Sequence, residues 1–324
     1  MTSRSAVPAA GRAILAGDRR ALARAISAVE NGDPAAIPIV RALYPRTGRA
    51  QVVGITGPLG VGKSSLVNAL VGLLRAQGRS VGVVAVDPSS PFSGGSVLGD
   101  RIRLDRSAGD AGVYFRSMAS RGEAGGVAAT TREVVRLLDA AGFEVVLVET
   151  VGSGQVDIAI RDVASTSIVV VVPHLGDEVQ TLKAGLFEIA DVFCVNKADL
   201  PGADLARKDL AELVALGSQR DGWAPPIVLT STMALAGIAE LWGAVGAHEA
   251  FLDASGHRTD AERRRLAREV VGLVRDRVGA ELTDRLERDP GLRRLLDQVQ
   301  QRAMDPRAAA ARLYASRSRP GRRR

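Results

Sequence analysis

The chain has 324 residues, 46% of them hydrophobic and 24% charged. That is the profile of a globular α/β-sized domain with smaller appendages, and it excludes a collagen-like, low-complexity or disulfide-framework protein. The net charge of +7 sits largely in Arg-rich C-terminal segments, Arg263-Arg264-Arg265 and the stretch Ser316 to Arg324. Without interleaved aromatic residues these read as a solvated end, so no nucleic-acid partner is expected.

The first twelve residues are small and polar and predict no ordered element. From Asp18, an N-cap, the pattern Leu22, Ala23, Ile26 and Val29 predicts a helix ended by Asn31-Gly32. A shorter helix over 35–43 leads to Pro45. Together, residues 1–48 are expected to form a helical N-terminal extension packed on the flank of the next domain, 49–252.

That domain opens with Gln51-Val52-Val53-Gly54-Ile55-Thr56, a run suited to a buried parallel strand. Then comes Gly57-Pro58-Leu59-Gly60-Val61-Gly62-Lys63-Ser64, followed by Ser65 and an apolar-periodic helix. The spacing G-x-x-x-x-G-K-[ST] between strand and helix is that of a phosphate-binding loop. Glycines let successive N–H groups face inward, and the helix N-terminus adds a favourable dipole. Gly57, Gly60, Val61, Gly62, Lys63, Ser64 and Ser65 are therefore candidates to bind a nucleoside triphosphate. Lys63 reaches the β- and γ-phosphates, and the Ser64 hydroxyl ligates Mg²⁺.

Further strands are expected at 80–86, 113–115, 143–148, 167–172, 192–195 and 227–229. Asp87 ends the first of these on the ligand side of a parallel sheet, and Asp100 follows in a long Gly/Ser-rich segment. Glu149-Thr150-Val151-Gly152 ends the third and fits an acid-x-x-Gly turn, in which Glu149 holds an Mg²⁺ water and Gly152 senses the γ-phosphate. Asp87, Asp100 and Glu149 join Ser64 as metal candidates. Ser153 stands where small GTPases place a water-orienting Gln, which predicts slow intrinsic hydrolysis accelerated by a partner. Asn196-Lys197-Ala198-Asp199 fits N-K-x-D after a strand. An Asp carboxylate there accepts hydrogen bonds from guanine N1–H and N2–H₂, while adenine would leave it unpaired and buried. Such bonding discriminates by about 10⁴-fold, so GTP/GDP is the expected ligand. Thr230-Ser231-Thr232 is the expected closing loop over the base, with Ser231 and Thr232 as contacts.

After a helix over 236–252, the segment 253–324 reads as a helical arm. Leu266, Val270, Val274, Val278, Leu282 and Leu286 recur every four residues as one apolar stripe, which favours a homodimer. Pro290-Gly291 breaks the helix, a shorter helix follows, and Asp305-Pro306 begins a final Ala-rich turn. The lone Cys194 lies in an apolar run and reads as a core thiol in a reducing compartment. No signal-peptide core or membrane-length run stands out, so a cytoplasmic protein without a membrane partner is expected.

Several stretches together resemble the MeaB/ArgK family of P-loop GTPases. They are Asp87-Pro88-Ser89-Ser90-Pro91-Phe92-Ser93-Gly94-Gly95, Gly99-Asp100-Arg101-Ile102-Arg103, Arg116-Ser117-Met118-Ala119, Glu149-Thr150-Val151-Gly152 and Gly176-Asp177-Glu178 with Lys183-Ala184-Gly185. The resemblance covers roughly residues 14 to 250. It implies an α/β fold with a mainly parallel P-loop NTPase sheet of the SIMIBI type and helical N- and C-terminal extensions. It also implies a G-protein chaperone that gates adenosylcobalamin loading and protects an acyl-CoA mutase such as methylmalonyl-CoA mutase, the mutase in turn stimulating GTP hydrolysis. By the same resemblance, Lys63, Asp87, Asp100, Glu149 and Lys183 are the catalytic candidates. Lys183 would belong to a switch over 173–183, and the C-terminal arm would make a homodimer. Two positions depart from the family pattern. Leu59 replaces Pro, and the family's Gly-Gln-Ser-Glu reads Gly154-Gln155-Val156-Asp157. Two other readings exist: an accessory kinase or ATPase of basic amino-acid transport, and a nickel-delivery GTPase. The first needs ATP, which Asn196–Asp199 argues against. The second needs clustered His or Cys, whereas His174, His248 and His257 are scattered.

Overall fold

The computed structural model describes residues 7–87, 109–119, 130–150, 158–173, 186–216 and 222–317. The chain divides into two compact units, Met1–Arg258 and Thr259–Arg324.

The first unit is built on a seven-stranded parallel sheet among the described residues. Its strands are β1 (Gln51–Thr56), β2 (Val81–Asp87), β3 (Val113–Ala119), β4 (Val145–Glu149), β5 (Thr166–Val171), β6 (Val192–Val195) and β7 (Ile227–Leu229). Their spatial order is β3-β2-β4-β1-β5-β6-β7, each neighbouring pair parallel. The chain leaves β1 for β2 on one side and later crosses from β4 to β5 on the other, so the strand order reverses at β1, the place where parallel sheets open a crevice at their carboxyl ends.

Because side chains alternate along a strand, the Val-rich runs feed two cores. Val53, Ile55, Val83, Leu147, Ile168 and Cys194 face α4 (Lys63–Ala76) and the helix Ile238–Ser255. Val84, Val146, Val148, Val169, Phe193 and Val195 face the other side. There they meet α5 (Thr131–Ala140) and the N-terminal helices α1 (Ala9–Leu15), α2 (Arg19–Glu30) and α3 (Ala36–Leu43). Burial on both faces explains why these strands read as continuous apolar runs.

The N-terminal helices are thus part of the core. α2 begins as expected, with the Asp18 carboxylate accepting the N–H groups of Arg20 and Ala21 at 2.8 and 3.0 Å. α1 corrects the expectation of an unstructured start: Ile14 is fully buried and Gly11 packs beside Leu43. The Asp139 carboxylate of α5 accepts the N–H groups of Gly48, Arg49 and Ala50 and so fixes the entry into β1. β3 runs on to Ala119, beyond the expected three residues. It thereby takes in Arg116, which pairs with Glu30 of α2 and donates to Ser27. A residue quoted for the family resemblance therefore ties the sheet to the N-terminal helices.

The remaining described helices are α6 (Leu186–Ile189), α7 (Ala203–Leu216), α8 (Ile238–Ser255), α9 (His257–Arg288), α10 (Pro290–Gln300) and α11 (Pro306–Arg317). In the second unit, Asp289 caps α10 by accepting the Gly291 N–H at 2.7 Å, and Pro290 opens that helix. Asp305 caps α11 in the same way through the N–H groups of Arg307 and Ala308. The expected final turn is thus a helix of 12 residues, Pro306–Arg317. No residue of α9 is buried, and Val270 and Val274 are 58% and 56% exposed. The four-residue recurrence advances by about 40° per step on a helix of 3.6 residues per turn. The apolar positions therefore sweep round α9 and do not form the single stripe that the sequence suggested. Among the described residues no helix is long and apolar enough to cross a membrane.

Candidate functional site

The carboxyl ends of β1, β4 and β6 bring the motif residues to one edge of the sheet. β1 delivers Thr56 and then a loop whose backbone excludes side chains. Gly57 has φ 144°, and a Cβ there would lie 2.2 Å from the Val170 carbonyl oxygen. Gly62 has φ 92°, and a Cβ there would lie 2.5 Å from Asn196 Nδ2. Gly60, at φ 80°, also adopts the left-handed region. Gly62 then becomes the N-cap of α4, where no side chain caps the helix. Backbone N–H groups at such a helix start are suited to phosphate.

Lys63 and Ser64 form the first turn of α4. Lys63 is buried, and its ammonium donates to the carbonyls of Gly57 and Pro58, each at 2.9 Å. The Ser64 hydroxyl donates to Glu149 Oε1 at 2.6 Å. Hydroxyl and carboxylate oxygens side by side are hard donors, the kind Mg²⁺ takes when it is held by one or two protein oxygens and phosphate. Among the described residues no three His, Cys, Asp or Glu side chains gather into a metal-binding group. Asp87 ends β2 in register with Ala119. Ser65 is exposed on α4, and Val61 is buried beneath the loop. Asp100, Gly152 and Lys183 lie outside the described residues, as does the segment 154–157.

The third contribution follows β6. Asn196 is fully buried, and its Nδ2 donates to the Val61 carbonyl at 2.9 Å. Lys197 sits at φ 57° and donates from Nζ to the Gly60 carbonyl at 2.9 Å. The base motif is thereby docked on the phosphate loop by two bonds. Asp199 is exposed, with one oxygen accepting the Ser231 hydroxyl at 2.5 Å. Ser231 is held in a small turn by a bridge to Ala236. Gly237 closes that turn at φ 73°, where a Cβ would meet the Leu229 carbonyl oxygen at 2.0 Å. Thr232 is half-buried in the same turn.

Two contacts escaped the motif reading. The Thr150 hydroxyl donates to Thr56 Oγ1 at 2.9 Å, joining the acid-x-x-Gly turn to the start of the phosphate loop. Thr230 bonds Asn196 from beneath. Both are ordinary threonines next to conspicuous motifs, and only their burial marks them.

The comparisons with known proteins agree with this geometry. A model of the family described as methylmalonyl-CoA mutase-associated GTPase MeaB matches residues 22–287. A protein of Pyrococcus abyssi assigned as a GTPase is 46% identical over 297 residues, 91% of each chain. The GTPase ArgK of Escherichia coli is 35% identical over 255 residues, 76% of each chain. A solved structure titled LAO/AO transport system kinase superposes with a TM-score of 0.74 at 27% identity, covering 96% of this chain and 97% of its own. Strand topology, phosphate loop and family match converge: the chain is a GTPase and belongs to the MeaB family.

Proposed function

We propose that this GTPase is a nucleotide-gated chaperone of a cobalamin-dependent acyl-CoA mutase such as methylmalonyl-CoA mutase, controlling adenosylcobalamin loading and protecting the enzyme. The observation that carries the nucleotide half is the docking of Asn196 and Lys197 onto the carbonyls of Val61 and Gly60. It makes one ligand-sized site from base and phosphate motifs. The mutase half is supported by the family's description.

In this reading the amides of Gly57–Ser64 cradle the phosphates, with Ser65 in the same helical turn. Lys63 swings from its loop carbonyls to the β- and γ-oxygens. Asp199 accepts the guanine N–H groups, and Ser231 and Thr232 close over the base. Ser64 and Glu149 would hold Mg²⁺, with Asp87 and Asp100 as the further acids. An ion held there would offset the negative charge of the phosphates. Gly152 senses the γ-phosphate, and Lys183 belongs to the segment that reports nucleotide state to the client. Ser153 offers no amide to orient the attacking water, so turnover is slow until the mutase supplies that function. The exposed Val270 and Val274 of α9 suit a second copy of the chain, and the single thiol suits a cytoplasmic setting.

The test is GTP hydrolysis by the full chain with and without cobalamin-dependent mutases. The reading expects hydrolysis to accelerate and a complex to form with one of them. No binding and no stimulation by any such mutase would remove the chaperone assignment and leave the GTPase. The transport-kinase reading, by contrast, requires ATP in preference to GTP.

A further inference from the structure

Asn196 joins the base loop to the phosphate loop through one planar amide, so the direction of that amide matters. Nδ2 donates to the Val61 carbonyl. A flipped amide would turn Oδ1 toward the same carbonyl and set two acceptors against each other. The side chain has little freedom to turn elsewhere, because Gly62 leaves it room only by lacking a Cβ.

Thr230 supplies what selects the direction. Its hydroxyl donates to Asn196 Oδ1 at 3.2 Å, and the residue is fully buried. Its backbone is fixed on both sides: the Thr230 N–H donates to the Val195 carbonyl at 2.8 Å, and its carbonyl accepts the Ala198 N–H at 2.9 Å. Cys194 Sγ lies 3.1 Å from the same hydroxyl oxygen. With the single hydroxyl proton directed at Asn196, the thiol is the donor of that contact. The bonds therefore run one way, from Cys194 through Thr230 to Asn196 and on to Val61.

We infer that Thr230 is a positioning residue for guanine-nucleotide binding, its buried hydroxyl holding the Asn196 amide in the direction that locks the base loop to the phosphate loop. The inference rests on the base-site reading proposed above. A valine has the same shape without the proton, so it leaves Oδ1 buried and without its donor. A serine keeps the proton.

The experiment is titration of the full chain with fluorescent GDP and ADP analogues. Thr230→Val is expected to weaken GDP binding about ten-fold, and Thr230→Ser to stay within about two-fold of wild type. Combined with Asn196→Ala, Thr230→Val should add almost nothing, because both act on one bond. A purely structural threonine would lower the melting temperature but show neither serine rescue nor this non-additivity, and that result overturns the inference. If Thr230→Val does not fold, Thr230→Ala is compared with Thr230→Ser, and equal affinities overturn it. Equal binding of GDP and ADP by the wild-type chain would instead sink the base-site reading. A GDP preference left intact by Thr230→Val sinks the positioning role alone.

Discussion

The two ends of the parallel sheet both bury polar side chains, yet they are built for opposite purposes. At the carboxyl end, Lys63, Ser64, Glu149 and Asn196 are held by loop carbonyls and by one another around an open crevice. At the amino end, a second network closes on itself. Thr166 Oγ1 donates to Glu249 Oε1 at 2.8 Å and lies 2.9 Å from His248 Nδ1. The one hydroxyl proton goes to the carboxylate, so the hydrogen-bond network assigns a proton to Nδ1. His248 Nε2 stands 3.6 Å from Asp191, whose other oxygen accepts the Ser167 N–H at 2.8 Å. Trp223 packs its ring on His248 and donates to the Asp191 carbonyl. The first set gathers where the phosphate loop, the acid-x-x-Gly turn and the base motif meet, and the second lies among groups that belong to no nucleotide motif. A buried polar cluster therefore marks a site only when ligand motifs meet in it.

Substitutions at the two ends should separate activity from stability. The largest effect is expected for Lys63→Ala, which removes the ammonium that meets the transferred phosphoryl group. Its kcat for GTP should fall about 10²- to 10³-fold while the melting temperature stays near wild type. Steady-state phosphate release and calorimetry check both halves, and an active variant would detach Lys63 from the chemistry. At the amino end, Asp191→Leu should cost about 1–3 kcal/mol of stability, the scale for leaving a buried donor, here the Ser167 N–H, without its acceptor. GTP turnover per folded molecule should be unchanged. Lost turnover with intact stability would mean that the two ends are not separate.

A smaller effect is expected at low pH. Burial raises the pKa of Glu249, but bonds from Ser165, Arg258 and Thr166 outweigh it and hold the carboxyl below its ordinary 4.5. A group with a depressed folded pKa stabilises fully above the unfolded value and loses that contribution as pH falls through the folded one. Melting temperatures measured from neutral pH downward should therefore drop below about pH 4.5, and Glu249→Gln should shrink that drop. An unchanged acid limb in the variant would exclude Glu249 as its source.

The same contrast explains what the sequence disclosed. The phosphate loop and N-K-x-D are contiguous, and each follows a Val-rich strand, so local pattern placed Lys63, Ser64 and Asn196 together. The amino-end network draws on residues 165–167, 191, 223, 248–249 and 258, and no local spacing connects them. His248 looked merely scattered until the fold set it against Asp191. α1 was hidden because its burial depends on distant Leu43 and on only two large apolar residues, Ile14 and Leu15. The stripe on α9 misled because recurrence at four residues is not the helical period. The motif specifies the bonds Asp199 makes with a base and carries no sign of the Ser231 hydroxyl that holds it.

The claim that the carboxyl end is a guanine site is tested most directly by Asp199→Asn, with GTP and xanthosine triphosphate compared as ligands. An amide at this position reverses the pairing with the purine edge. The account predicts that GTP affinity falls by about 10²-fold or more and that xanthosine triphosphate becomes the better ligand. A variant that binds GTP as the wild-type chain does and ignores xanthosine triphosphate would contradict it.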